Sequence, residues 1–270
     1  MSVRTTTFTR MADETPEKTN APEDAPVPFD ASYYDRVYNI DGVDKLDIHW
    51  WANRYYARLA ERLLRRAGGR RVLDVGCGQG FTLGQLGTGV DAWGIEVSSY
   101  AASRCAEFAP RAHVVVGNIE QGVPAGIEAG SFDVVVCRYV LEHLKDPEAA
   151  MRRCASLLRP GGYFLFSVPN MSSPGARWKG KEWFGFLDET HISLLPLEQW
   201  KQMVPRTGLV LDKAFTDGFW DVPYLKGIPK LLQYGIFSLP TIAAVFLVST
   251  ALPLPWGENL IAICRRPAST

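Results

Sequence analysis

The chain has 270 residues, with 29 Lys and Arg against 29 Asp and Glu and a formal net charge of +0. That balance excludes nucleic-acid binding driven by bulk charge, because neutralising phosphates needs clustered excess Lys and Arg. Hydrophobic residues make up 47%, enough for a sizeable core and too many for a disordered chain. Cys77, Cys105, Cys137, Cys154 and Cys264 are dispersed without a CxxC pair, so reduced thiols are expected rather than disulfides or a zinc site.

Residues 1–28 are rich in Thr, Pro, Glu and Asp and lack the apolar run of a signal peptide. A disordered N-terminal arm is expected there, ahead of one domain over 29–270 in a cytoplasmic protein. From 29 to 66 aromatic and aliphatic residues recur at helical spacing, with Trp50, Tyr55, Leu59, Leu63 and Leu64 in one stripe; Gly68-Gly69 ends it. Apolar strands are predicted over 71–75, 92–97, 114–117, 132–137, 163–168, 209–215 and 260–264. Helices are predicted over 81–86, 98–107, 142–158 and 197–207, the second capped by Ser98. Continuous apolar strands alternating with helices predict an α/β fold whose parallel sheet is covered on both faces.

The most informative stretch is Val72-Leu73-Asp74-Val75-Gly76-Cys77-Gly78-Gln79-Gly80. A strand runs into three glycines at alternate positions, which lets the backbone turn tightly and approach a ligand closely. The dinucleotide spacing G-x-G-x-x-G is not met, because Phe81 stands where its third glycine belongs; this disfavours a nicotinamide oxidoreductase. A carboxylate at Asp74 would repel a pyrophosphate and suits a ligand carrying an ammonium group.

This segment resembles motif I of the class I S-adenosylmethionine methyltransferases. Gly94-Ile95-Glu96-Val97-Ser98, Gly117-Asn118-Ile119-Glu120, Phe132–Leu144 and Leu157–Tyr163 resemble four further motifs of that family in order. The resemblance implies a Rossmann-like, seven-stranded, mostly parallel sheet with an antiparallel last strand. It also implies S-adenosyl-L-methionine as cofactor. Asp74, Gly76, Cys77, Gly78 and Gly80 would form its cradle. Glu96 and Val97 would meet its ribose, with Asn118 and Ile119 flanking the adenine and Cys137 and Arg138 completing the site.

Methyl transfer needs a nucleophile held in line with the sulfonium methyl, and a base only when the acceptor must lose a proton. Two histidines are candidates for that role. His143 follows Glu142 where the ubiquinone-type O-methyltransferases carry a metal-binding Glu-x-x-Glu-His pattern. Tyr139 replaces the first acid here, so no metal is expected. His191 closes Asp188-Glu189-Thr190-His191 in a loop insert over 169–191, after the fifth strand. In that loop Trp178, Trp183, Phe184 and Phe186 could form an aromatic lid or a cluster pinning the segment. Tyr33 and Tyr34 could close over the cofactor or pack into the core.

A second insert over 216–257 contains an uncharged apolar run over 231–255. Its length meets the criterion for a membrane span. Prolines interrupt it, and a single crossing would leave the last strand unable to pair. A membrane-dipping hairpin or a buried cap is therefore expected, the former placing the protein peripherally on the inner face of the membrane. The functional expectation is O-methylation of a small-molecule or lipid-like acceptor. N- or C-methylation, or an inactive membrane-associated binding protein of the same fold, are the alternatives.

Overall fold

The computed structural model describes residues 29–37, 48–237, 239 and 254–268. The expected N-terminal arm lies outside these residues, as does most of the apolar run over 231–255.

Seven strands form one sheet: β1 (Arg71–Val75), β2 (Asp91–Glu96), β3 (His113–Val116), β4 (Phe132–Arg138), β5 (Leu158–Pro169), β6 (Val210–Thr216) and β7 (Asn259–Arg265). Their order is β3-β2-β1-β4-β5-β7-β6. Pairing is parallel from β3 through β5, and β7 runs antiparallel to both β5 and β6. The helices are α1 (Ala31–Val37), α2 (Ile48–Ala67), α3 (Phe81–Gly84), α4 (Ser99–Phe108), α5 (Pro147–Leu157), α6 (Pro174–Lys179), α7 (Phe184–Leu187), α8 (Leu197–Arg206) and α9 (Lys230–Phe237).

Alternation along each strand divides the core in two. Leu73, Val75, Val135 and Cys137 face the layer that includes Met151 of α5 and Trp200 of α8. Val72, Val134, Val136 and Leu165 face Tyr56, Leu59 and Leu63 of α2. By the same alternation Asp74, Arg138 and Ser167 lie on the α2 side, at the carboxyl ends of their strands.

Three expected elements differ in extent. The helix predicted over 142–158 divides into a 3-10 turn, Leu141–His143, and α5. Asp146 caps α5 by accepting from the Ala149 amide and Pro147 opens it, so α5 cannot extend backward. Strand β5 begins at Leu158 rather than 163, because Leu158 pairs with Phe132 across a register shift. Helix α3 is a single turn, stopped where Gly84 meets α4; a Cβ there would come within 1.9 Å of the Phe108 carbonyl oxygen. Among the described residues no helix is long and apolar enough to cross a membrane.

Candidate active site

The glycine loop leaves β1 at Gly76 (φ +73°) and turns back through Gly78 (φ +55°) to Gly80 (φ +84°), all conformations that favour glycine. Gly76 and Cys77 both donate to the Ile95 carbonyl, tying the loop to β2. Glu96, at the end of β2, closes the cradle. One of its carboxylate oxygens accepts from the Gly78 amide (2.8 Å), the other from the Ser98 amide (2.9 Å) and the Tyr34 hydroxyl (3.2 Å). Burial raises the Glu96 pKa, against the lowering by these donors. Asp74 is buried beneath the loop. Burial pushes its carboxyl up to about 7, while Arg138 draws it down and Glu96 raises it further.

The other expected cofactor residues sit at the same edge, in different ways. Arg138 donates to the Asn53 side-chain oxygen (2.7 Å) and lies over the Tyr56 ring. The Asn118 side-chain oxygen accepts from the Glu120 amide (2.8 Å), an Asx turn that shapes the loop after β3. Cys77 is buried beside Cys105, which with burial pushes its thiol up. Ile119 is buried in the core, and Val97 approaches Glu96 through its amide. Cys137 points to the α5 side, beside Cys154, so only its backbone faces the site.

The two candidate histidines come together although 48 positions separate them in sequence; their ring centroids are 4.7 Å apart. The Thr190 hydroxyl donates to Asp188 (2.5 Å), which leaves its oxygen to accept from Nδ1 of His143 (2.8 Å). His143 therefore carries its proton on Nδ1 and keeps the Nε2 lone pair. His191 donates from Nδ1 to the Gly185 carbonyl (2.8 Å), and its Nε2 stands 3.8 Å from the Asp188 carboxylate. Burial, then the neighbouring His191, lower the His143 pKa to about 4, so its imidazole is neutral at pH 7. Beneath them Glu142 is fully buried, and among the described residues neither carboxylate oxygen has a hydrogen-bond partner. Burial, with Asp188 nearby, raises its carboxyl to about 8.

One ligand atom each from Glu142, His143 and His191 lies within 4.8 Å of the other two. The expectation of no metal counted Glu142 and His143 alone, and the fold adds His191. An orphaned carboxylate with two imidazoles beside it could hold a divalent ion, which would polarise an oxygen next to it.

Tyr33, Tyr34 and Trp183, expected either at the site or in packing, complete the edge together with Glu258, which the sequence reading missed. Tyr34 reaches Glu96, and Tyr33 donates to Asp188 (3.1 Å), so α1 spans from the cradle to the histidine loop. Glu258 accepts from Trp183, Ser173 and Tyr224, joining the loop after β5 to the insert before β7. Trp183 is thus a buried pin, whereas Trp178 is exposed and stacks on Phe219. A polar residue on the core face of a helical stripe, as at Asn53, is the signal that could have revealed part of this network.

A glycine cradle at the end of β1, an acid ending β2 and an antiparallel last strand define a Rossmann-like, nucleoside-cofactor enzyme. The family model described as "Methyltransferase domain" matches residues 49–214. The chain belongs to this family, the class I S-adenosylmethionine-dependent methyltransferases, and its cofactor is S-adenosylmethionine. A nicotinamide oxidoreductase is thereby set aside.

Similar sequences include the ubiquinone biosynthesis O-methyltransferases of Pectobacterium carotovorum and Escherichia coli O6:H1. The first is 31% identical over 155 residues, 56% of this chain and 57% of that protein; the second is 31% identical over 175 residues, 58% and 66%. The chain thus spans about three-fifths of the length of these relatives. Among solved structures, magnesium protoporphyrin IX methyltransferase from Synechocystis PCC 6803 with bound SAH has a TM-score of 0.55 at 15% identity, covering 87% of this chain and 95% of that one. The [4+2]-cyclase SpnF superposes with a TM-score of 0.51 at 19% identity, covering 79% and 81%. The fold therefore also carries other chemistry, and the site must decide the reaction.

Proposed function

We propose that the protein O-methylates a hydroxylated, lipid-like small molecule. The observation that carries this reading is the pair of imidazoles, each held through its Nδ1 hydrogen bond, with Nε2 of His191 3.8 Å from the Asp188 carboxylate. O-methylation of a phenol is served by a base close to the acceptor hydroxyl. His191 takes the hydroxyl proton, and the oxygen attacks the methyl group as the sulfonium becomes a neutral thioether. His143 orients the loop, and the Asp188 carboxylate, 3.8 Å from Nε2 of His191, supports the charge that His191 acquires. The names of the similar ubiquinone biosynthesis O-methyltransferases support an acceptor of this type.

Within the cradle, Asp74 takes the cofactor's ammonium and Glu96 its ribose hydroxyls, with Tyr34 giving way. Val97 and the Asn118–Ile119 segment border the adenine, the latter through backbone atoms. Gly76, Cys77, Gly78, Gly80 and the Cys137 backbone supply close approach.

The acceptor is met at a membrane surface by a cytoplasmic protein. Leu231, Leu232, Ile236, Leu239 and Trp256 are exposed, Leu231 to 82%, beside Lys226 and Lys230. Such a surface suits the interface of an anionic bilayer. In flotation with anionic vesicles the protein should rise with the lipid, and Leu231→Asp with Ile236→Asp should leave it at the bottom. Sedimentation of the unaltered protein would defeat this part.

Incubation with methyl-labelled S-adenosylmethionine and a catechol bearing a polyprenyl tail tests the reaction. Label should appear in the organic phase as an aryl methyl ether. Folded, cofactor-binding protein that labels only amines or ring carbons among a mixed panel of acceptors would overturn O-methylation.

A further inference from the structure

The imidazole of His191 has two acceptors near it, one for each ring nitrogen. The Gly185 carbonyl takes the Nδ1 proton at 2.8 Å, whereas the Asp188 carboxylate stands 3.8 Å from Nε2, beyond hydrogen-bond length. A carboxylate is the stronger acceptor of the two. The proton therefore stays on Nδ1 only while the Gly185 carbonyl is held in place, and the tautomer is decided by what holds it.

That carbonyl belongs to α7, a single turn too short to hold itself. Trp183, just before α7, is its anchor. The Trp183 carbonyl accepts from the amides of Phe186 (2.9 Å) and Leu187 (3.3 Å). The Trp183 indole is fully buried and lies so close to Gly185 that a Cβ there would overlap the ring. Asp221 adds a second tie by accepting from the Phe184 amide (3.2 Å). The indole thus backs the peptide unit whose oxygen meets His191.

The polar atom of the indole has one partner. Its Nε1 donates to Glu258 (2.7 Å), which also accepts from the hydroxyls of Ser173 (3.1 Å) and Tyr224 (2.5 Å). Glu258 is fully buried directly before β7, and Gly175 makes room for it, since a Cβ there would overlap Oε1. Among the described residues no Lys, Arg or His forms an ion pair with it. A buried carboxylate without a cation is costly to desolvate, so its three donors are what keep it there. Of these donors only Trp183 contacts Gly185; the Ser173 side chain otherwise caps α6 through the Ala176 amide (2.9 Å).

Resting on the reading of His191 as the base, we propose that Glu258 is a positioning residue for its imidazole. Glu258 holds the Trp183 indole, the indole holds the Gly185 turn, and the Gly185 carbonyl keeps the proton on Nδ1. Nε2 is thereby left able to accept the proton of the acceptor hydroxyl. If the turn loosens, the proton moves to Nε2 and toward Asp188, and the ring can no longer act as a base.

Nitrogen-15 labelling of histidine in the full chain, read by long-range proton–nitrogen correlation at neutral pH, reports the tautomer without any acceptor. His191→Asn identifies the signal. The unaltered protein should show His191 protonated on Nδ1. Trp183→Phe, which keeps a ring but loses the N–H, and Glu258→Leu, which denies the indole an acceptor, should each populate the Nε2–H form. Both should lower kcat toward a catechol bearing a polyprenyl tail by about 10- to 100-fold, with S-adenosylhomocysteine affinity kept within about twofold. Glu258→Gln should restore the Nδ1–H form, because its amide oxygen can accept from the indole while Tyr224 accepts from its NH2. Trp183→Phe carries the test should Glu258→Leu fail to fold.

Protonation of His191 on Nε2 in the unaltered protein would overturn the inference. So would an unchanged tautomer in folded Trp183→Phe. An equal shift in Ser173→Ala, which removes a donor from the same carboxylate without touching α7, would likewise overturn it by making the carboxylate a structural group only. A shifted tautomer with unchanged kcat would uphold Glu258 as positioning the ring and would instead remove His191 as the base.

Discussion

Glu96 shows what a single side chain contributes. Its carboxylate accepts from two backbone amides and the Tyr34 hydroxyl, so one group shapes the loop and, in the proposed site, presents acceptor oxygens to the ribose. Glu96→Gln removes the charge and turns a donor toward the Gly78 or Ser98 amide. Hydrogen bonds to a charged group contribute roughly 1.5–3 kcal/mol, so S-adenosylhomocysteine affinity should fall about 10- to 100-fold by calorimetry. Unchanged affinity would remove Glu96 from the ribose site. His191→Asn should act differently. Loss of a general base lowers kcat by roughly 10²–10⁴ while cofactor affinity stays within about twofold. A variant that lost cofactor binding but kept kcat would assign His191 to the cradle instead. Asp74, Glu96 and the glycines were legible because they occupy a short contiguous spacing. Asn53, Tyr56 and Ser167 were not, because their meaning depends on which strand face they meet.

At the scale of elements, the β1-to-α3 loop is the part most sensitive to an added atom. A Cβ at Gly76 would stand 2.2 Å from Val140 Cγ2 and on a backbone at φ +73°. Gly76→Ala should therefore destabilise the protein by about 1–3 kcal/mol and abolish measurable S-adenosylhomocysteine binding. Gly87→Ala is the control, since its Cβ would meet only Glu61 Oε1 at an ordinary 3.5 Å. Thermal melts and calorimetry on the two variants distinguish these outcomes; equal behaviour would show that the loop tolerates a side chain. The predicted strands appear close to their expected limits because apolar runs bounded by turn residues leave little choice. The helix predicted over 142–158 did not form as one piece. Its apolar spacing is compatible with either arrangement, and the Asp146-Pro147 cap decides between them.

For the molecule as a whole, buried titratable groups give a pH signature. The carboxyls of Asp74 and Asp217 are raised to about 7 and that of Glu142 to about 8, each chiefly by burial. The folded protein therefore holds protons that the unfolded chain has released. Their contribution is complete below the ordinary carboxylate range and is lost as pH rises through about 7 to 8. His143 acts oppositely. Lowered to about 4, it destabilises the fold as pH falls below its ordinary 6.5, because only the unfolded chain takes up the proton there. Between pH 6.5 and 8 only the acids act, so the melting temperature of the ligand-free protein should rise by a few degrees as pH is lowered across that interval. Asp74→Asn should flatten the slope, and a melting temperature that rose with pH would refute the account. If Asp74 takes the cofactor's ammonium as proposed, binding favours its ionised form, so binding at pH 6.5 should release a proton, seen as a heat that varies with the buffer's ionisation enthalpy.

The order of apolar runs, the glycine spacing and the acids at the ends of β1 and β2 are local patterns. They determined the α/β class, the cofactor and the sheet edge that carries the candidate site, because strand period and loop geometry act over a few residues. Tertiary structure alone decided that His143 and His191 share a ring contact above an unpartnered Glu142, and that α1 joins Glu96 to Asp188. It also decided that Arg138, Tyr56 and Ser167 meet on the α2 side of the sheet edge. Those groups lie far apart along the chain. Their proximity is a consequence of packing α2 and the loop after β5 against the same sheet edge, which no spacing in the sequence encodes.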